Sequence, residues 1–314
     1  MLMKKNILLY MAAVAGLVLA GCAKEKGLEP ETAHRQMRFA VSVDGATKAG
    51  MDKDALTLLG EFYIKVVSDD PTYDYLDIIN WNSEKGVWTP SQPMYWKNEE
   101  SAIQYTSVAS GWLEDLEEPE PFNTTLNAIF SEEGGTLAVL KDQSYSSAIA
   151  ASDLLRGIDV KYYTDTQDGV IPVEFSHALA KVNFQLNLAD GFYDNYIGLD
   201  DESPVDAISI GGVHWVYNFK ALTGVVTVDN NYPASSVEPF ESAYVSGTKA
   251  DKVSKATFEA ILIPENFAVG ALELNFSILG VNYTWTNDKA ITLAQGEEYT
   301  IPVAVSYEGQ PGQN

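Results

Sequence analysis

One cysteine, three histidines and 44 carboxylates among 314 residues define what chemistry this chain could perform. His34, His177 and His214 stand far apart. There is no His-Glu-x-x-His for zinc, no Gly-x-Ser-x-Gly nucleophile elbow, and no phosphate-loop context at Gly134-Gly135 or Gly211-Gly212. Ser176-His177 sets a nucleophile beside a base, but neighbours on a strand point to opposite faces, so no local pair forms and His177 reads as structural. Carboxylate pairs of the kind a glycosidase uses are unavoidable at this acid content. Asp69-Asp70, Glu117-Glu118, Glu132-Glu133 and Asp200-Asp201-Glu202 fall in expected loops as solvated charge, and none has the order of a calcium-binding EF-hand loop. No catalytic residue, metal ligand set or cofactor is expected. The reactive group that remains is the thiol of Cys22.

Cys22 ends an apolar run. Lys4 and Lys5 form a charged start, Ile7 to Leu19 an apolar stretch short for a bilayer, and Ala20-Gly21 a small-residue cleavage site, so residues 1–21 read as an export signal and not as fold. Leu19-Ala20-Gly21-Cys22 resembles the lipobox of bacterial lipoproteins. That resemblance implies cleavage before Cys22 and acylation of its sulfur and amine, and hence a lipid-anchored exported protein. A secretory signal with a chance cysteine and a short uncleaved anchor helix are the alternatives. Each buried methylene contributes about 0.8 kcal/mol and stable anchoring takes two chains, so a multiply acylated Cys22 would be durably tethered. Residues 22–36, with Gly27 and Pro30 and no apolar cluster, read as a flexible leash.

Composition then bounds the rest. With 46% apolar and 11% aromatic residues the chain can bury a sizeable core. Its net charge is −24, and without the signal 44 acids face 18 bases, a balance of −26 that repels nucleic acid and anionic head groups. With Cys22 acylated no thiol is left for a disulfide, so the fold must hold by packing and hydrogen bonding.

The elements beyond the leash show period two. Phe39, Val41 and Val43 alternate with Ala40, Ser42 and Asp44. The same pattern recurs over Val182 to Leu188, Leu272 to Ile278 and Tyr299 to Tyr307. Further strands are expected at 61–67, 102–108, 136–141, 158–163, 205–211, 213–219, 224–228 and 256–263, with one short helix over 146–156. Many short strands between Gly, Pro, Asn and Asp clusters argue for an all-β fold of antiparallel sandwiches. The polar turn Thr164 to Gly169 suggests a division into domains at 37–166 and 167–314.

Several segments resemble the fimbrillin family of pilins and pilus-associated lipoproteins. They are Phe39 to Ala49 with Thr47-Lys48-Ala49, Trp88 followed by Met94-Tyr95-Trp96, Ser152-Asp153-Leu154-Leu155, Phe175-Ser176-His177-Ala178-Leu179-Ala180-Lys181-Val182, Ile261-Leu262-Ile263-Pro264-Glu265 and Gly296-Glu297-Glu298-Tyr299. The resemblance covers nearly the whole mature chain. It implies two tandem transthyretin-like, antiparallel Greek-key β-sandwich domains and export to the outer membrane and cell surface. It further implies a structural or accessory role, anchor or tip, in adhesive fimbriae, with other fimbrial subunits and a surface receptor or glycan as partners.

Family stalk subunits lose their first strand to a trypsin-like, usually arginine-specific protease, which opens a groove for a neighbour's strand. On that resemblance Phe39, Val41 and Val43 form the displaceable strand and Lys48 takes the processing position, where an arginine is usual. Arg35 and Arg38 compete as cut sites, but cleavage there would leave the strand attached. A first strand locked centrally between two others, or absent from any sandwich, would overturn the pilin reading and leave a tethered surface protein. The other function class is a carbohydrate-binding outer-membrane lipoprotein, because exposed rings among Trp81, Trp88, Trp96, Trp112, Trp215 and Trp285 could stack on sugars. Three or more solvent-facing coplanar rings would favour it; core packing would not.

Overall fold

The structure, a computed structural model, describes residues 35–44, 50–70, 73–111, 126–195 and 202–307. It is all-β with short helices, arranged in several sheets. The first five strands are β1 (Arg38–Val43), β2 (Glu61–Ser68), β3 (Asp74–Asn82), β4 (Val87–Pro90) and β5 (Ile103–Ala109). The next, β6 (Gly135–Ala138), lies elsewhere, and the chain returns with β7 (Leu155–Lys161) and β8 (Val170–His177). Apart from β6 these close into a seven-stranded barrel in the order β1-β4-β3-β2-β5-β7-β8. The polar turn Thr164 to Gly169 is therefore the link between two barrel strands, and residues 170–177 belong to the barrel.

Period two explains why the wall faces as it does. In β1, Phe39 and Val41 point inward and are buried while Arg38, Ala40 and Ser42 are exposed. Phe62 of β2 is the hub, with ring centroids 6.4 Å from Phe39, 5.2 Å from Trp88 and 5.4 Å from Phe175, all edge-on. Such pairs add about 0.5–1.5 kcal/mol each beyond area burial. One helix, α1 (Lys53–Leu59), inserts Leu56 into this core. Asp52 caps its start by accepting the Ala55 N–H at 2.7 Å, and Gly60, at φ 84°, ends it in the left-handed conformation that glycine adopts without strain.

The remaining strands are β9 (Ala180–Leu188), β10 (Val205–Val213), β11 (Val216–Lys220), β12 (Val225–Val228), β13 (Ser235–Val237), β14 (Phe240–Val245), β15 (Ser254–Leu262), β16 (Asn266–Phe267), β17 (Glu273–Ile278), β18 (Val281–Thr286), β19 (Ile291–Thr292) and β20 (Glu298–Val305). Two four-stranded sheets, β14-β15-β9-β20 and β13-β10-β17-β18, share one apolar cluster containing Val182, Phe184, Ile210, Leu274 and Val303. Not every ladder is antiparallel. β20 runs parallel to β9, as β1 runs parallel to β8.

A third cluster joins these parts. β6 pairs with β11, placing Leu137 opposite Tyr217, and Tyr63 and Val108 from the outside of the barrel meet Phe219, Ile261 and Ile263 there. The short link Ala178–Leu179 between β8 and β9 is buried in the same cluster. Arg156 of β7 donates from Nε to the Ala221 carbonyl at 2.6 Å and from Nη2 to that of Leu222 at 3.1 Å. Gln143, wholly buried, exchanges both bonds of its amide with the Ile261 backbone at 2.8 and 3.0 Å.

Replacing the hub by Phe62→Ala should destabilise the protein by about 3–5 kcal/mol, read from urea unfolding, because three aromatic contacts go with the ring.

Candidate functional site

β1 is the element on which a strand-exchange function would turn, and its two edges are held unequally. Along β8 it forms a parallel ladder from Arg38↔Val170 to Val43↔Phe175, six residue pairs, extended by the Asp44 N–H donated to the Phe175 carbonyl at 2.6 Å. Along β4 a single pair is in register, Phe39↔Trp88. β1 is thus flanked on both sides but fully laddered on one. At the poorly laddered seam lies a cleft of about 400 Å³ lined by Phe39, Val41, Trp81, Val87 and Trp88, with Arg38 and Lys53 also lining it.

Upstream of β1 the chain is tied to another segment. The Met37 N–H donates to the Met94 carbonyl at 2.8 Å, the Trp96 N–H to the Arg35 carbonyl at 2.9 Å, and Gln36 bridges Tyr95. The Arg35 guanidinium lies 4.2 Å over the Tyr163 ring and 2.6 Å from Glu99. Arg38 donates to the Asp168 carbonyl. Both arginines proposed as competing cut sites therefore sit in hydrogen-bonded backbone. Val43 is half-buried against the barrel core. Cys22 and Lys48 lie outside the described residues, as does Trp112.

The other tryptophans are not an open platform. Trp88 and Trp96 are buried, and Trp81, Trp215 and Trp285 are partly buried against core clusters. Trp285 meets Phe184 edge-on at 5.9 Å, and the Lys141 ammonium lies 3.9 Å over Trp215. Among the described residues no group of three or more His, Cys, Asp or Glu side chains could hold a metal ion, and no helix is long and apolar enough to cross a membrane.

A buried pair missed by sequence reasoning stands at the end of β8. His177 is hydrogen-bonded through Nδ1 to Asp153 Oδ2 at 2.6 Å. The same oxygen accepts the Met51 N–H at 2.9 Å, and Oδ1 accepts the Leu154 N–H at 2.8 Å. Both residues lie in segments that the sequence singles out, but 24 residues apart, and nothing in the spacing of the two segments announces their contact. Asp153 follows α3 (Ser146–Ser152) and is 1% exposed. Burial opposes a charge on His177, yet the bond and charge of Asp153 outweigh it, Asp44 adds, Lys181 opposes, and the net shift is upward from 6.5. Nearby, the Lys181 ammonium lies 3.1 Å from Glu298 and 3.5 Å from Glu259. Burial would raise the Glu298 carboxyl, but Asn183 and Lys181 bring it below its ordinary value.

A raised histidine value means that the protonated pair contributes its full stabilisation below the ordinary histidine value of about 6.5 and loses it as pH rises through the raised one. Imidazole NMR should show His177 titrating above that value, and Asp153→Asn should drop it below, leaving burial as the dominant influence.

The fimbrillin-like family profile matches residues 44–313. No match is found among curated proteins. Among solved structures, the chain is similar to a candidate cell adhesion protein from Bacteroides ovatus, with a TM-score of 0.57 at 12% identity over 88% of this chain and 94% of that one. It is also similar to a candidate cell adhesion protein from Bacteroides uniformis, with a TM-score of 0.53 at 15% identity over 87% and 94%. At such identities the likeness is one of fold. By the span of the profile match, the chain belongs to the fimbrillin-like family.

Proposed function

We propose that this chain is a lipid-anchored structural or accessory subunit, anchor or tip, of adhesive fimbriae that assemble by strand exchange. Family membership carries the general surface and adhesion role. The observation that supports exchange is the lopsided hold on β1, six pairs in register along β8 against one along β4. Removing β1 would uncover the places of Phe39, Val41 and half-buried Val43, worth roughly 4–7 kcal/mol to a donor that refilled them. The vacated β8 edge would supply the ladder.

The proposal divides the fold into two transthyretin-like units meeting at Ala178–Leu179, because β8 completes the barrel and β9 opens the next sheet. Cys22 carries the lipid and ties the protein to the outer membrane. Lys48 is the processing position, since Arg35 and Arg38 lie in paired backbone and Arg156 is held in the β7 ladder. Other fimbrial subunits are the partners, through the β8 edge, and the adhesive target is a surface receptor or glycan.

Mass spectrometry of protein recovered from the cell surface tests this. An N-terminus at acylated Cys22 assigns the anchor role, and one at Ala49 assigns a polymerising or tip role. A mature chain that is neither acylated nor cut after Lys48 overturns the proposal. In vitro, a trypsin-like protease should cut the folded chain after Lys48 before it cuts after Arg35, Arg38 or Arg156, and Lys48→Ala should remove that first cut.

A further inference from the structure

Asp153 ties together three separate stretches of chain: Met51, which leads into α1; Leu154, which leads into β7; and His177, which ends β8. The two sides of residues 45–49 are therefore held by different means. Upstream, Asp44 donates its backbone N–H to the Phe175 carbonyl at the end of the β1–β8 ladder, and its carboxylate favours a charged His177. Downstream, Met51 is held by a buried carboxylate, and charge-assisted bonds are roughly twice as strong as neutral ones. Gly50 fits tightly here, since a Cβ would lie 2.6 Å from Asp153 Oδ2 and 3.3 Å from His177 Cε1. The Met51 side chain is itself buried in the barrel.

β8 depends on this carboxylate as well. Its ladder with β7 consists of two pairs, Leu155↔His177 and Arg156↔Ser176, supplemented by the Tyr105 hydroxyl donating to the Pro172 carbonyl at 2.7 Å. The six pairs with β1 form the longer of the two ladders that hold β8. Without β1, the His177–Asp153 bond would be one of the restraints left on the end of the strand that receives a donor, beside the Ser176 hydroxyl donating to the Arg156 carbonyl at 3.3 Å and the Ala178 N–H donating to the Leu154 carbonyl at 2.8 Å.

We propose that Asp153 is the positioning residue for strand exchange: it retains Gly50–Met51 when residues 36–44 leave and keeps the end of β8 in register for the incoming strand. This rests on the strand-exchange reading above. The device is also pH-dependent. The charged groups facing His177 are Asp153 at the end of α3, Asp44 at the end of β1, Lys181 on β9 and Glu297 before β20, which shares a small cavity with His177. Of these, Asp44 departs with the strand. Protonated His177 therefore favours retention, and by reciprocity strand release lowers its proton affinity.

The test uses the full chain cut after Lys48, and a labelled synthetic peptide of residues 36–44 as the probe, with uptake followed by fluorescence anisotropy from about pH 5.5 to 8.5. Wild type should take up the peptide, more tightly at the acidic end, and a peptide carrying Asp44→Asn should flatten the profile. Asp153→Asn should bind at least about tenfold more weakly, with no pH dependence. His177→Gln should bind at every pH as wild type does at the alkaline end. Unfolding of the uncut variants checks that they fold; should Asp153→Asn fail to fold, the His177→Gln profile decides alone. Asp153→Asn or His177→Gln matching wild type in affinity and profile overturns the proposal. A cut wild-type chain that never takes up the peptide overturns the strand-exchange reading itself, and the proposal with it.

Discussion

The first part of the molecule depends on closing one wall. Seven strands complete a barrel only if its last strand, β8, meets its first, β1, and they meet in parallel. Parallel neighbours cannot be joined by a tight turn, so the closing partners must come from distant parts of the sequence. β1 begins at Arg38 and β8 at Val170. The aromatic hub at Phe62 is enclosed only once that long-range ladder is made, since Phe39 lies on one side of the seam and Phe175 on the other. Closure in turn leaves the opposite edge of β1 nearly without rungs. A strand can thus be part of a continuous wall and still be weakly held along one of its sides.

Buried charge is spent sparingly around this seam and always in company. Asp153 accepts from two backbone amides and one imidazole, so its removal from water is offset by hydrogen bonds. Lys181 lies between two carboxylates on the neighbouring sheet. In a chain with a net charge of −24 the effect is to place scarce cations beside buried acids. Burial in the neighbouring cluster raises the proton affinity of the Tyr217 phenol.

The all-β class and the inward face of β1 were legible in the sequence because alternation is a local signal, visible over Phe39 and Val41 or over Val182 to Leu188. Closure was not, because a barrel and a sandwich draw on the same alternation and differ only in which edges meet. The turn at Thr164 to Gly169 carries every mark of a boundary, yet it joins β7 to β8. β6 crosses to pair with β11, a choice that no local pattern encodes. Within the candidate site, His177 could be read as structural from strand geometry, but Asp153 as its partner needed the fold to bring the end of α3 against the end of β8.

The direction of β1 has a mechanical consequence. Any pull delivered through the residues before Arg35 enters the fold along this strand, past the Met94–Trp96 segment and then along the β8 ladder. A load in line with the strand is shared by all its rungs at once, as shear, whereas a sideways load breaks them singly. The same strand would then resist traction along its axis and yield to a competitor that arrives from the side.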